Sequence, residues 1–351
     1  MRPKSIAICS VQVPFVRGGA EKLTSALHAE LARRGVEVET IQIPFKWYPI
    51  TRIPTDALVW RMVDVTEANG KTIDCVIATK FPATAVRHPD KRIWLCHQHR
   101  PVYDLRGTHL GCEFGSEVEQ TDEHEAIRKI VMDIDNVTIR EATRLFTISR
   151  NVSGRLKRFN DIDCAHLYPP PEHMERFHAG PYGGEVLYVG RLDRMKRVSL
   201  LVDAFAHVRT PATCLIAGTG NEAANLEAQI QTLGLSDRVR LLGFVPEQDL
   251  YSLYARALTV FYAPFDEDYG YATVEAYLSR RPVITTRDAG GVLEFVLDGD
   301  SGCVVDTEPA AIAEKIDFLY EHRRACQELG GNGYELVKDI TWDRVIEQLV
   351  D

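Results

Sequence analysis

The sequence predicts an α/β protein built from two doubly wound, Rossmann-like domains in tandem. Three observations carry this expectation. Short apolar runs of strand length alternate with segments of helical period along the whole chain. The alternation pauses at Pro169-Pro170-Pro171, where neither a helix nor a central strand can continue, and then restarts. The length of 351 residues is that of two domains at about 150 residues each.

In the first half, "SIAICSVQV" reads as a strand and is followed by Gly18-Gly19 and the segment "AEKLTSALHAELARRG". There Leu23, Leu27 and Leu31 recur every four residues, and Gly35 marks the stop. "VEVETIQI", "DCVIAT", "RIWLCH" and "RLFTIS" are the next strands. Their nearly continuous apolar character suits a parallel sheet covered on both faces. After the prolines, "EVLYVGRL", "TCLIAGTG", "RVRLLGF", "LTVFYAPF", "PVITT" and "GCVV" read as strands. "VSLLVDAFAHV", "NLEAQIQTLGL" and "GYATVEAYLSR" read as helices between them, and "TWDRVIEQLV" as a short amphipathic helix at the end. The expected domains are residues 1–172 and 173–334, facing across a cleft, with the ligand at the carboxyl ends of the strands.

Composition narrows the function. Apolar residues make up 45% and charged residues 26%, which excludes a disordered or low-complexity chain. Acids exceed bases 50 to 41, the wrong sign for a protein that coats nucleic acid, so no nucleic-acid partner is expected. The charge is uneven: residues 1–100 hold 15 Lys and Arg against 9 Asp and Glu, whereas residues 176–351 hold 17 against 27. The basic start and the aromatics of "FKWYPITRIP" point to peripheral contact with an anionic membrane, although a solvated basic face gives the same pattern. The eight cysteines include no C-x-x-C pair, and Cys9, Cys75, Cys96 and Cys214 sit in apolar runs, as reduced core thiols do. No apolar run approaches 18 residues, and the N-terminus reads as a strand, not a signal peptide. A cytoplasmic location is expected.

Four elements carry chemistry. In "FDEDYGYATVEAYL", Glu267 falls on a loop after a strand, Gly270 precedes a helix, and Glu275 lies one turn inside it. Free N–H groups at such a helix start suit an anion. In "YVGRLDRMKR", Arg191 stands at a strand end and Lys196 on the following loop, with Arg194 and Arg197 as spare positives. Fixed cations can offset charge on a departing diphosphate. Gly18-Gly19 either lets a ligand approach backbone or makes a tight turn. His97 is the first residue after "RIWLC" and stands at a strand tip, with His99 as its rival.

Together these segments resemble family 4 glycosyltransferases, retaining enzymes of the GT-B fold. The resemblance rests on "GRLDRMK", "LIAGTG", "LLGFV", the Glu267–Glu275 pair, "RPVITT" and "AGGVLEFV", and more loosely on "RGGAEKL" and the strand-tip histidine. It implies transfer of a sugar from a UDP- or GDP-linked nucleotide sugar to a saccharide or lipid-linked hydroxyl acceptor. It implies that Arg191 and Lys196 bind the diphosphate, that Glu267 contacts the donor sugar and that Glu275 accepts from the ribose. Backbone N–H groups of Tyr271, Ala272 and Thr273, capped by Gly270, would face the phosphates, and Phe244-Val245 would lie beside the base. Gly18, Gly19 and Gly218 would pack near the donor, and His97 would reach its sugar. The acceptor would bind the first domain, to which residues 335–351 would return. No cofactor and no metal are expected.

Other readings explain parts of the sequence. "DED" at 266–268 matches the D-x-D pattern of metal-dependent glycosyltransferases, but "DID" occurs at 133–135 and 161–163 as well. Gly218, Gly220 and Ala223 nearly form a dinucleotide fingerprint, without the acid that should end the following strand. A nucleotide-sugar epimerase or a non-catalytic sugar-nucleotide-binding protein would share the architecture.

Overall fold

The computed structural model describes residues 3–15 and 18–351. Two compact units emerge, residues 1–170 with 341–351, and residues 171–340. The boundary falls one proline before the end of the triplet. Residues 335–340 stay with the second unit, because the helix that contains 335–337 begins at Arg323 within it.

The first unit contains β1 (Ser5–Gln12), α1 (Gly19–Arg33), β2 (Glu37–Pro44), α2 (Arg52–Met62), β3 (Glu67–Ala68), β4 (Lys71–Thr72), β5 (Cys75–Ala78), β6 (Lys91–Leu95), α3 (Asp122–Thr138), β7 (Arg144–Thr147), α4 (Arg150–Asn160) and β8 (Ala165–His166). Six of the strands form a parallel sheet in the order β2-β1-β5-β6-β7-β8, and β3 and β4 form a small separate hairpin. Ile6, Ile8, Cys9, Val76, Ile77, Ile93 and Trp94 are buried, so the apolar runs do fill a sheet covered on both faces. Helix α1 buries Leu23, Leu27 and Leu31 and is followed by Gly35 at φ 77°, as its four-residue period predicts.

In "FKWYPITRIP" the three aromatics differ in exposure, with Trp47 half-buried. Phe45, Ile50 and Ile53 are buried, and Tyr48 is the exposed one. Helix α2 starts at Arg52, with Pro54 tolerated in its first turn. Its outward side carries Leu58, Val59 and Met62 instead.

The second unit contains β9 (Glu185–Val189), α5 (Val198–Phe205), β10 (Thr213–Ala217), α6 (Ala223–Thr232), β11 (Val239–Gly243), α7 (Glu247–Arg256), β12 (Thr259–Phe261), α8 (Tyr271–Leu278), β13 (Val283–Thr286), β14 (Gly302–Val305), α9 (Pro309–Glu321) and α10 (Arg323–Val337). Its sheet runs β11-β10-β9-β12-β13-β14, parallel throughout. The first strand, β9, is central, with β10 on one side and β12 on the other. The chain therefore leaves β9 and β12 in opposite directions, and a crevice opens between their carboxyl ends.

Helix α11 (Trp342–Leu349) packs in the first unit and buries Val345, Ile346 and Leu349. Its last carbonyls are capped by two strand arginines. Arg92 donates to Leu349 O at 2.9 Å and Arg144 to Gln348 O at 2.8 Å, cations placed where the helix dipole is negative. Trp342 meets Trp94 edge to face, with ring centroids 6.2 Å apart.

Candidate active site

The crevice of the second unit gathers side chains from three neighbouring strand ends. After β9, Asp193 turns the chain by accepting from Lys196 N at 3.2 Å. Arg197 follows at φ 49° and anchors this turn to the ends of β12 and β13. It donates to Ala263 O and Pro264 O, each at 2.9 Å, and forks onto Asp288 with two bonds of 2.8 Å. Phe265 N bonds to Met195 O at 2.8 Å and completes the link. Arg197 is thus no spare positive. It is the residue that holds the Lys196 loop in place.

So fixed, Lys196 points at the loop after β12 and forms an ion pair with Glu267. The Tyr262 hydroxyl stands 3.3 Å from both Lys196 Nζ and Glu267 Oε2. Burial alone would depress the Lys196 ammonium, but the adjacent Glu267 carboxylate outweighs it and raises the pKa above the ordinary lysine value. Lys196 is therefore a fixed positive charge at neutral pH. Glu267 is itself held by backbone, with its N–H on Ala289 O and its carbonyl accepting from Gly291 N at 2.7 Å. A Cβ on Gly291 would meet Asp268 O at 2.5 Å, so this close approach requires glycine.

Gly270 sits at φ 88° and starts α8. Tyr271, Ala272 and Thr273 form the first turn, in which the Thr273 N–H is already engaged by Gly270 O at 3.0 Å. Glu275 is one turn in, buried, and accepts from the Tyr254 hydroxyl at 2.7 Å. Arg191, by contrast, remains half exposed and pairs with Asp193 at 3.3 Å. The structure thus joins Lys196 and Glu267 directly and leaves Arg191 at the rim of the same loop.

Gly218 lies where β10 passes β9. A Cβ there would fall 1.8 Å from Gly190 O, so the glycine serves strand-end packing. Phe244, just past β11, is 78% exposed and Val245 half-buried. Among the described residues no group of three or more His, Cys, Asp or Glu side chains is placed to hold a metal ion.

In the first unit Gly18 and Gly19 begin α1, where Gly18 N donates to Glu21 Oε2 at 2.8 Å. Glu21 also pairs with the buried Lys80 at 2.9 Å. The two strand-tip histidines differ in kind. His99 lies against Phe45 and Phe81, with centroids 5.7 and 5.8 Å away. Burial, and then neighbouring His97, push its pKa down to about 3, so it is neutral packing. His97 is half-buried, and its Nδ1 is 2.6 Å from Gln98 O. A carbonyl can only accept, so Nδ1 carries a proton.

Sequence reasoning passed over Tyr188, Tyr254 and Tyr262, which floor the second-unit crevice. Tyr188 and Tyr262 lie within apolar runs, where a tyrosine reads as core, and Tyr254 lies in the polar segment "EQDLYSLYAR". The one available signal was that two of them, Tyr188 and Tyr262, stand at strand ends beside "GRL" and "APF".

The comparisons agree with this geometry. Residues 178–336 match the family model of the glycosyl transferases group 1. The D-inositol 3-phosphate glycosyltransferase of Corynebacterium diphtheriae is 30% identical over 172 residues, 46% of this chain and 40% of that protein. The chain thus spans less than half the length of this curated relative. Sucrose-phosphate synthase from Thermosynechococcus elongatus superposes with a TM-score of 0.76 at 18% identity, covering 98% of this chain and 97% of that one. Anabaena HepE, solved with UDP and glucose, gives 0.67 at 17% identity over 99% and 96%. These likenesses show the fold, a GT-B fold of two Rossmann-like domains.

Proposed function

We propose that this chain is a retaining glycosyltransferase that moves a sugar from a UDP- or GDP-linked nucleotide sugar to a hydroxyl of a saccharide or lipid-linked acceptor. The observation that carries the reading is the convergence of Lys196, Glu267, Glu275 and the α8 start on one crevice. The activities of similar proteins, a D-inositol 3-phosphate glycosyltransferase and a D-rhamnosyltransferase among them, support it.

On this reading Glu275 accepts from the ribose and the first N–H groups of α8 receive phosphate oxygens. Lys196, with Arg191 at the rim, stabilises the diphosphate as the anomeric C–O bond breaks. The acceptor oxygen bonds to the same carbon on the same face, and its proton passes to the departing phosphate. Glu267 orients the sugar hydroxyls. The alternative of a glycosyl-enzyme would need a second carboxylate beneath the anomeric carbon, about 5 Å from the first. Of the second-unit carboxylates described above, Glu267 is engaged by Lys196 and Glu275 by Tyr254. The first unit supplies the acceptor site and His97.

Thermal denaturation with UDP, GDP and EDTA tests the reading. A nucleoside diphosphate at 100-fold over its Kd should stabilise the protein by about 2.7 kcal/mol, with or without chelator. Absence of any shift with either nucleotide overturns the reading. A shift that needs manganese and is lost in Asp266→Asn transfers it to the D-x-D class.

Peripheral membrane contact is part of the proposal. Tyr48, Leu58, Val59 and Met62 are exposed apolar side chains of the first unit, and Lys46 stands over the Tyr48 ring at 4.3 Å. No helix among the described residues is long and apolar enough to cross a membrane. Sedimentation with anionic vesicles at low salt should retain the protein, and Leu58→Asp/Met62→Asp should release it. Equal sedimentation of both proteins, or of neither, counts against this face.

A further inference from the structure

We propose that two buried tyrosine hydroxyls are positioning residues for the nucleotide, with divided roles: Tyr254 aims Glu275 at the ribose, and Tyr262 braces the Lys196–Glu267 pair for the diphosphate. The inference rests on the donor-site reading above and deepens it.

Tyr254 belongs to α7 and is fully buried, yet its hydroxyl reaches across to α8 and donates to Glu275 Oε2 at 2.7 Å. A carboxylate this deep needs donors, or it turns toward whatever supplies them. The phenol fixes one oxygen and so fixes the direction of the other. Burial, and then the Glu275 charge, hold the Tyr254 hydroxyl far above its ordinary pKa, so it remains a donor at every pH the protein survives.

Tyr262 acts differently. Its oxygen can accept from Lys196 Nζ and donate to Glu267 Oε2, both at 3.3 Å, and no other assignment of the proton satisfies both partners. The ring lies beneath the ammonium, 5.6 Å from centroid to Nζ. It cannot swing aside. Tyr188 stacks on it with centroids 6.4 Å apart and planes at 29°, and a Cβ on Gly270 would already stand 3.1 Å from its edge. Tyr188 is held in turn by its hydroxyl on Arg191 O at 2.7 Å. The tyrosine floor therefore ties Arg191 and Lys196 of the loop after β9 to the loop after β12.

The two roles separate in binding alone. Calorimetric titration of the intact protein with UMP, UDP, GMP and GDP gives, for the preferred base, an affinity for the monophosphate and an increment for the second phosphate. Tyr254→Phe should weaken mono- and diphosphate alike, about tenfold, and leave the increment unchanged. Tyr262→Phe should leave the monophosphate unchanged and shrink the increment about tenfold. Phenylalanine retains each ring, and the melting temperature of each variant reports any loss of packing. A merely structural role would lower the melting temperature and weaken all ligands together, which overturns the proposal. Unchanged affinities in both variants overturn it while leaving the donor-site reading intact. If the wild-type protein binds none of the four nucleotides, the reading itself fails and takes the proposal with it.

Discussion

Lys196→Ala should lower kcat by about 10²–10³-fold, with a smaller change in donor KM. The ammonium is enclosed by the crevice, paired with Glu267 and supported by Tyr262, so its charge is preorganised and poorly screened. Charge grows on the diphosphate as the sugar leaves, and a cation already in place gains most in the transition state. Arg191→Ala should cost less and mainly in KM, because that guanidinium is half exposed and already shared with Asp193. Lys196→Arg should not rescue, since a planar fork does not fit between the Tyr262 hydroxyl and Glu267. Removing one partner of a buried ion pair also destabilises, though both side chains here keep some solvent contact and the loss is correspondingly modest. Donor consumption followed in single turnover, on protein shown to be folded by its melting transition, makes the comparison. A folded Lys196→Ala with wild-type turnover would remove the electrostatic basis of the proposed mechanism.

Much of this site was legible because its positions are punctuated by backbone chemistry. Gly270 at φ 88° precedes a helix start, and Glu267 then falls on the loop and Glu275 one turn inside the helix, as their places in "FDEDYGYATVEAYL" predict. The strands were legible because parallel strands covered on both faces read as unbroken apolar runs. Arg197 was not legible. Four of its partners lie 66 to 91 residues away, and a basic loop residue looks the same whether it is solvated or bound to Asp288. Helix α7 was also missed, because "EQDLYSLYAR" carries few aliphatic positions and buries Tyr251 and Tyr254 in their place. His97 and His99 share one sequence context, and only the placement of Phe45 and Phe81 separates them.

Two groups in the first unit should give opposite pH dependences that single substitutions expose. Asp135 on α3 is buried, with the Tyr103 hydroxyl donating to it at 2.8 Å, and burial lifts its pKa to about 7. Between the ordinary aspartate value and 7 the folded protein holds a proton that the unfolded chain has lost. Stability from this group is therefore complete at low pH and is lost as pH rises toward 7, by about 1.4 kcal/mol per pH unit. His99 has the reverse sign. Its pKa is depressed to about 3, so between 3 and the ordinary histidine value the unfolded chain takes up a proton that the folded protein refuses. Its contribution is present above pH 6.5 and is lost on acidification, and because the residue keeps intermediate exposure it is the smaller of the two. The two oppose each other from about pH 4 to 6.5, which flattens the wild-type profile. Asp135→Asn should gain on the wild type as pH rises from 4 to 7, by a few kcal/mol across the window. His99→Phe, which keeps an aromatic ring between Phe45 and Phe81, should gain on the wild type as pH falls through the same window. Differences between variant and wild type cancel the common acid loss from carboxylates such as Glu141, which Lys91 and Arg61 hold down to about 2 against its burial. Urea unfolding of the three proteins at half-unit pH steps measures both differences. Parallel curves for Asp135→Asn and the wild type would mean that this carboxyl is ionised in the folded protein, and that the site behind Tyr103 is wetter than its burial implies.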